Sequence, residues 1–277
     1  MVRVVTESTA DIPSALADEL GIRVVPTLVT FGTDTYRDGI DMTRQQFYDR
    51  LEQGKTNPTT AAPSPAVYEE VYRQLARETH EVVSIQTASK LSALYGTACL
   101  AASSVTGARI AVVDSEQVTM GCGWLAVEAA EAARRGEGFD QIVELVENAK
   151  RRTWVFAALA SLEFVHRGGR IGRMPALIGT LLNIKPMVQV RMGEVQVLDR
   201  ARSWRRALDR LVELVAGLGA FERAIVLEAN APAAAEEVAD RLQALRPGWR
   251  RLIGQAGATI ASHAGPGAVG VAVVTAA

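Results

Sequence analysis

Short β-branched runs alternate with alanine-rich amphipathic stretches through the first half of the chain. Val2, Val4 and Val5 predict a first strand, residues 22–31 a second, 82–85 a third and 110–113 a fourth. Apolar runs of this length, bounded by turn residues, read as strands. Residues 154–159 are a further candidate. Between them lie helix signals. Pro13 and Gly21 bracket one helix, Thr43 and Gln46 form a capping box for a second ending near Gly54, and Ser64-Pro65 opens a third to about Thr79. Alanine-rich segments at about 92–103, 119–135 and 139–150 predict three more. Strand, helix and strand in repetition predict parallel βαβ units in a three-layer α/β domain.

The pattern changes near residue 155. A short helix near 160–166 runs into Gly168 and Gly169, and an apolar helix covers about 175–182. Alternating runs at 187–190 and 194–198 flank Met192-Gly193 as a hairpin. Helices at about 203–217 and 232–245 then alternate with strands near 223–229, 251–256 and 271–275. A hairpin inserted into such alternation predicts an α+β domain with a mixed sheet. The chain is therefore expected to divide into an N-terminal α/β domain, 1–155, and a C-terminal domain, 156–277, with a ligand in the cleft between them.

Composition narrows the function. The chain has 277 residues, 48% of them hydrophobic, enough for two cores, and a net charge of −1 that gives no general attraction to nucleic acid. Cys99 and Cys122 are too few for a disulfide framework and lie in apolar surroundings, which points to buried thiols in a reducing compartment. No leader-like N-terminus and no apolar run of ~18 residues is present, so a cytoplasmic protein is expected. No cluster has metal-ligand spacing, and neither a nucleophile elbow nor a Walker A loop occurs. Gly265, Gly267 and Gly270 have dinucleotide-motif spacing, but no βαβ unit follows them.

Candidate chemistry sits in loops. Thr60 and Ser92 are each read in a loop leading into a helix, where ligands meet the carboxyl edge of a parallel sheet. A hydroxyl there can donate to a carboxylate or phosphate; the alternative is that both cap helices. His263, one of three histidines, precedes Gly265-Pro266-Gly267, a turn able to bring backbone N–H groups to a ligand. Arg167, Arg170 and Arg173 surround the double glycine, and Arg200, Arg202, Arg205, Arg206 and Arg210 follow the hairpin. Such clusters are solvated faces, or they meet an acidic partner or an anionic membrane surface.

Six loops stand in order along the chain: Thr6-Glu7-Ser8-Thr9-Ala10-Asp11-Ile12-Pro13, Asn57-Pro58-Thr59-Thr60-Ala61-Ala62-Pro63-Ser64-Pro65, Ser89-Lys90-Leu91-Ser92-Ala93-Leu94-Tyr95, Gly168-Gly169-Arg170-Ile171, Asn183-Ile184-Lys185-Pro186 and His263-Ala264-Gly265-Pro266-Gly267. This ordered set resembles the DegV family of bacterial fatty-acid-binding proteins over nearly the whole chain. The resemblance implies that Thr60 and Ser92 hydrogen-bond a long-chain fatty acid's carboxylate, with Arg170, His263 and the Gly265–Gly267 turn close by. It implies an acyl-carrying subunit of a bacterial fatty acid kinase, not itself an enzyme, that presents the carboxylate to a separate ATP-binding subunit for acyl phosphate formation. Arg202 matches the arginine linked to that partner or to transient contact with an anionic membrane. No cofactor, metal or nucleic acid is expected on this chain. Ala61, Ala62, Ala93, Leu94 and Gly96 replace more polar or smaller family residues, and Glu7 stands where Asp is typical, so the polar surround is thinner.

The apolar segments at 176–182 and 24–28 are candidates for the tunnel wall. At about 0.8 kcal/mol per buried CH₂, a chain of roughly sixteen carbons gains on the order of 11 kcal/mol before ordering costs. Two rival readings share these loops: an enzyme acting on a small anionic substrate, and a lipid-sensing regulatory module.

Overall fold

In the computed structural model, which describes residues 1–54, 56–170 and 184–276, two sheets stack with helices between them. The first sheet is parallel, in the order β2-β1-β6-β7. It comprises β1 (Arg3–Glu7), β2 (Arg23–Val25), β6 (Glu81–Gln86) and β7 (Arg109–Asp114). Its outer face is covered by α3 (Pro65–Ala76) and α4 (Leu94–Ser103), where Tyr68, Tyr72 and Leu94 bury against Val5 and Val82.

Its inner face packs on α5 (Thr119–Arg134). On its other side α5 meets β8 (Thr153–Ala158) and β13 (Val269–Thr275) of the second sheet. Thirteen of its sixteen residues are buried, as a helix between two sheets requires. Trp124 Nε1 donates to the Ala272 carbonyl at 3.2 Å, tying the helix to β13.

The second sheet runs β10-β9-β8-β13-β11-β12, adding β9 (Lys185–Arg191), β10 (Glu194–Ala201), β11 (Phe221–Glu228) and β12 (Ile253–Gln255). Only the β11–β12 pair is parallel, so the sheet is mixed. Helices α8 (Trp204–Ala216) and α9 (Pro232–Leu245) cover its far face over Phe156, Val226 and Val271. A parallel sheet and a mixed sheet in an α/β chain agree with the expected class.

The structure corrects several details. Residues 22–31 are not one strand. Pro26, which has no N–H for a ladder, ends β2, and β3 (Leu28–Phe31) leaves for a separate antiparallel sheet with β4 (Asp34–Arg37) and β5 (Thr59–Ala61). Thr60 therefore lies in β5 and not in a loop leading into a helix. β8 spans the division expected at residue 155 and belongs wholly to the second sheet. Helix α10 (Ala258–Ala264) is an addition to the expected elements. Cys122 is buried, but Cys99 only partly. The helix expected at 175–182 lies outside the described residues.

Candidate functional site

The parallel strands, the small antiparallel sheet and α10 converge on the inner face of the mixed sheet. There they enclose a cavity of about 160 Å³. An enclosed water needs roughly 10–15 Å³ on this scale, so the space is ligand-sized and not a packing flaw. The mixed sheet supplies an apolar floor. Val155, Ala157 and Leu159 line it at the period of two that a strand imposes, joined by Val188, Val190 and Leu227. The intervening Phe156 and Ala158, with Trp154 just before them, pack with the cluster beneath α8 and α9.

Another wall is made of threonines whose hydroxyls engage acids behind it. Thr87 Oγ1 donates to Glu7 Oε1 at 2.6 Å, Thr119 Oγ1 to Asp11 Oδ2 at 2.6 Å, and Thr259 Oγ1 to Asp38 Oδ2 at 3.3 Å. Backbone donors complete the set: Thr9 and Thr87 N–H to Glu7, Gly257 N–H to Asp11 at 2.7 Å, and Ala258 N–H to Asp38 at 3.3 Å. Burial raises the pKa of Glu7 despite its donors from Thr87 and Thr9. Burial raises Asp11 to about 7, against the opposing Arg44 charge and the donors from Thr119 and Gly257. Nothing in the local sequence marks Glu7, Asp11 and Asp38 as interior groups, beyond the hydroxyl-rich company of the first two.

Polar groups from distant parts of the chain also line the cavity. Thr60 Oγ1 stands 2.9 Å from His263 Nε2. Burial lowers the His263 pKa to about 4, and the Arg170 charge acts in the same direction, so the ring is neutral near pH 7. Its Nδ1 is buried without a partner among the described residues. The ring presses on Gly168, where a Cβ would fall 2.1 Å from Nδ1. Arg170 donates through Nε to the Leu91 carbonyl at 3.1 Å and through Nη1 to the Gly168 carbonyl. This ties the turn after α7 (Glu163–Arg167) to the loop carrying Ser92. Among the described residues Ser92 Oγ accepts only a long 3.4 Å bond from Leu94 N–H, and the N-cap of α4 is Ala93. Thr60, Ser92, Arg170 and His263 thus share one cavity.

Other candidate residues fall elsewhere. Gly265 and Gly267 are outside the described cavity lining. Their N–H groups bond the Ala261 and Ala229 carbonyls. Gly265 has φ 77°, and a Cβ there would fall 2.3 Å from Phe164. The turn therefore positions α10 and β13, whose flanking Ala264 and Ala268 reach the wall. Arg202 is exposed in the turn between β10 and α8. Val24 and Leu28 do not contribute to the described wall, and the segment 176–182 lies outside the described residues. Among the described residues no group of three or more His, Cys, Asp or Glu is placed to hold a metal ion.

The fold and the cavity define an α/β protein that encloses an apolar space between two sheets. The chain matches the family described as "uncharacterised protein, DegV family" over residues 1–276, and it belongs to that family. It is 35% identical to a DegV domain-containing protein of Deinococcus radiodurans, with 98% of this chain and 97% of the relative covered. It is 33% identical to one of Caldanaerobacter subterraneus with the same coverage. A Thermus thermophilus DegV family structure described for its fatty acid binding superposes with a TM-score of 0.91 at 32% identity, covering 99% of both chains. Bacillus subtilis DegV, described as a fatty acid binding protein, superposes at 0.92 with 29% identity and 99% coverage of both.

Proposed function

We propose that this chain binds a long-chain fatty acid in the cavity and presents its carboxylate to a separate ATP-dependent fatty acid kinase subunit. The observation that carries the reading is the union, in one cavity, of an aliphatic floor and the hydroxyls of Thr60 and Ser92. The similar structures from Thermus thermophilus and Bacillus subtilis, both described as fatty acid binding, support the ligand class. Burial of the chain offsets the cost of burying a carboxylate, provided its oxygens find donors. A small anion would gain nothing from the floor of Val155, Val188, Val190 and Leu227.

The neutral His263 sets the polarity of the Thr60 hydroxyl. We assign its proton to Nε2, donating to Thr60 Oγ1 and leaving the threonine proton for a ligand oxygen. Ser92 Oγ supplies the second donor. With ATP held by the partner, a carboxylate oxygen attacks the γ-phosphorus, the bond from that phosphorus to the β–γ bridging oxygen breaks, and ADP leaves. The acyl phosphate stays on this chain, whose own contribution is positioning. Arg202, beside the exposed Arg200, Arg205 and Arg206, is the proposed contact for the partner or an anionic membrane surface. No helix among the described residues is long and apolar enough to cross a membrane, and we place the protein in the cytoplasm. We also propose that the chain acts as two domains that divide just before β8, the first giving the carboxylate donors and the second most of the acyl wall.

The test is native mass spectrometry of the purified protein, with extraction and identification of any bound molecule. A co-purified fatty acid near one per chain is the expected result. A protein that is empty and refuses added fatty acids overturns the reading.

A further inference from the structure

An open groove adjoins the cavity at the Ser92 loop. The loop Ser89–Ala93, the turn at Gly169 and Arg170, and the tip of the β9–β10 hairpin line it, and Leu91, Ser92, Arg170 and Val195 line both spaces. The groove is the more polar of the two spaces. Lys90 borders it with Nζ 2.9 Å from Glu194 Oε1 and 3.2 Å from the Met192 carbonyl. Both members of this ion pair are 57% exposed, so the pair is easily exchanged. The hairpin tip is also held by Gly193 N–H bonding the Glu116 carbonyl at 3.0 Å.

Charge balance gives the groove a purpose. Thr60 and Ser92 carry no charge, and two donors of the Arg170 guanidinium already serve backbone carbonyls. These groups suit a carboxylate with one negative charge. A phosphomonoester carries close to two and is bulkier. Among the described groove residues, Lys90 is the cation whose side-chain bonds end on an exposed carboxylate and one carbonyl.

We infer that this groove is a phosphoryl-binding subsite for a single-chain amphiphile whose tail lies in the cavity, with Lys90 exchanging Glu194 for the phosphate. The inference rests on the fatty acid reading and extends it from the substrate to the phosphorylated product. Exchange also removes the Lys90 tie to the hairpin tip, so phosphorylation loosens the rim beside Ser92.

The experiment compares palmitate with hexadecyl phosphate, a stable single-chain phosphomonoester, by competition binding on wild type, Lys90→Met and Glu194→Gln. Palmitate affinity stays within about twofold in both variants. Hexadecyl phosphate binds about fivefold more weakly to Lys90→Met and about threefold more tightly to Glu194→Gln, the scale of an exposed ion pair. Both differences shrink in about 0.5 M salt, where exposed charges are screened. Wild type that holds palmitate but not hexadecyl phosphate overturns the subsite and leaves the fatty acid reading standing. Equal changes for both ligands, or none, also overturn it. Refusal of both ligands by wild type removes the fatty acid reading and the subsite together.

Discussion

Replacing Gly168 by alanine tests the contact between Thr60 and His263 without touching either. Gly168 has φ −70° and ψ −8°, a right-handed conformation that alanine accepts. The perturbation is therefore steric: the new methyl falls 2.1 Å from His263 Nδ1, and the ring must move by more than 1 Å to reach ordinary contact. That displacement breaks the 2.9 Å bond to Thr60. Losing a partly buried hydrogen bond costs about 1–3 kcal/mol, and overpacking adds a similar amount. The lower entropy of the unfolded alanine chain returns about 0.4–1 kcal/mol. The net loss is about 3 kcal/mol, or a fall in Tm of about 6 °C for a chain of this size. The assay is denaturation of Gly168→Ala, His263→Ala and the double variant. With the imidazole gone the methyl has room, so Gly168→Ala in the His263→Ala background is neutral within about 0.5 kcal/mol, and the cycle shows a coupling near 3 kcal/mol. If the glycine substitution costs as much without the imidazole as with it, the ring is not what occupies that space and the argument fails.

Thr60→Ala and Ser92→Ala each weaken palmitate binding by about 1–3 kcal/mol in a competition assay; unchanged affinity in both removes these hydroxyls from the carboxylate site. Arg202→Ala leaves palmitate affinity intact and slows acyl phosphate formation with the kinase partner; a matching loss of binding places Arg202 at the ligand instead. Glu7→Ala strands the Thr9 N–H and both Thr87 donors in the interior and costs ~3 kcal/mol or more in urea denaturation, while a loss under 1 kcal/mol contradicts that role. Acid titration reads two opposing groups. His263, near 4 in the fold against 6.5 free, stabilises the protein above pH 6.5 and loses that contribution as pH falls toward 4. Asp11, near 7 against 3.8, favours folding when protonated and loses its contribution as pH rises from 3.8 to 7. Asp11→Asn removes the second slope, so the loss of stability from pH 6.5 to 4.5 steepens by up to about 1.4 kcal/mol per pH unit; an unchanged profile refutes the Asp11 assignment.

The elements legible in the sequence are those with a repeating pattern or a local device. The Thr43–Gln46 box caps its helix as the sequence implies, Gly21 closes α1 (Ser14–Leu20) in the left-handed conformation, and Met192-Gly193 turns the hairpin. β4, β5 and α10 resist such reading because they are short. Three or four residues cannot display an alternation, and the small residues of α10 carry little hydrophobic signature. The site divides in the same way. Thr60, Ser92, Arg170 and His263 are accessible through the order of loops that the family shares, but the Thr60–His263 contact joins residues 203 positions apart and has no local cause. A buried carboxylate such as Asp38 looks, in sequence, like any surface acid. Its interior role follows from the helix that arrives some 220 residues later.

That helix makes the order of synthesis matter. α10 is gripped at one end by Asp11 and Asp38 and at the other by Thr60, all set down in the first sixty positions, while the helix itself is among the last parts of the chain to be made. A growing chain that already has β8 has α5 to cover Val155 but lacks Ala258 and Ala261, which share the apolar cluster of Leu159, and it stays in that state until residues 257–264 emerge and close loops of over 200 residues. The cavity is thus a product of completed folding and not of either half alone. A truncated or stalled chain presents sticky aliphatic surface to chaperones and proteases.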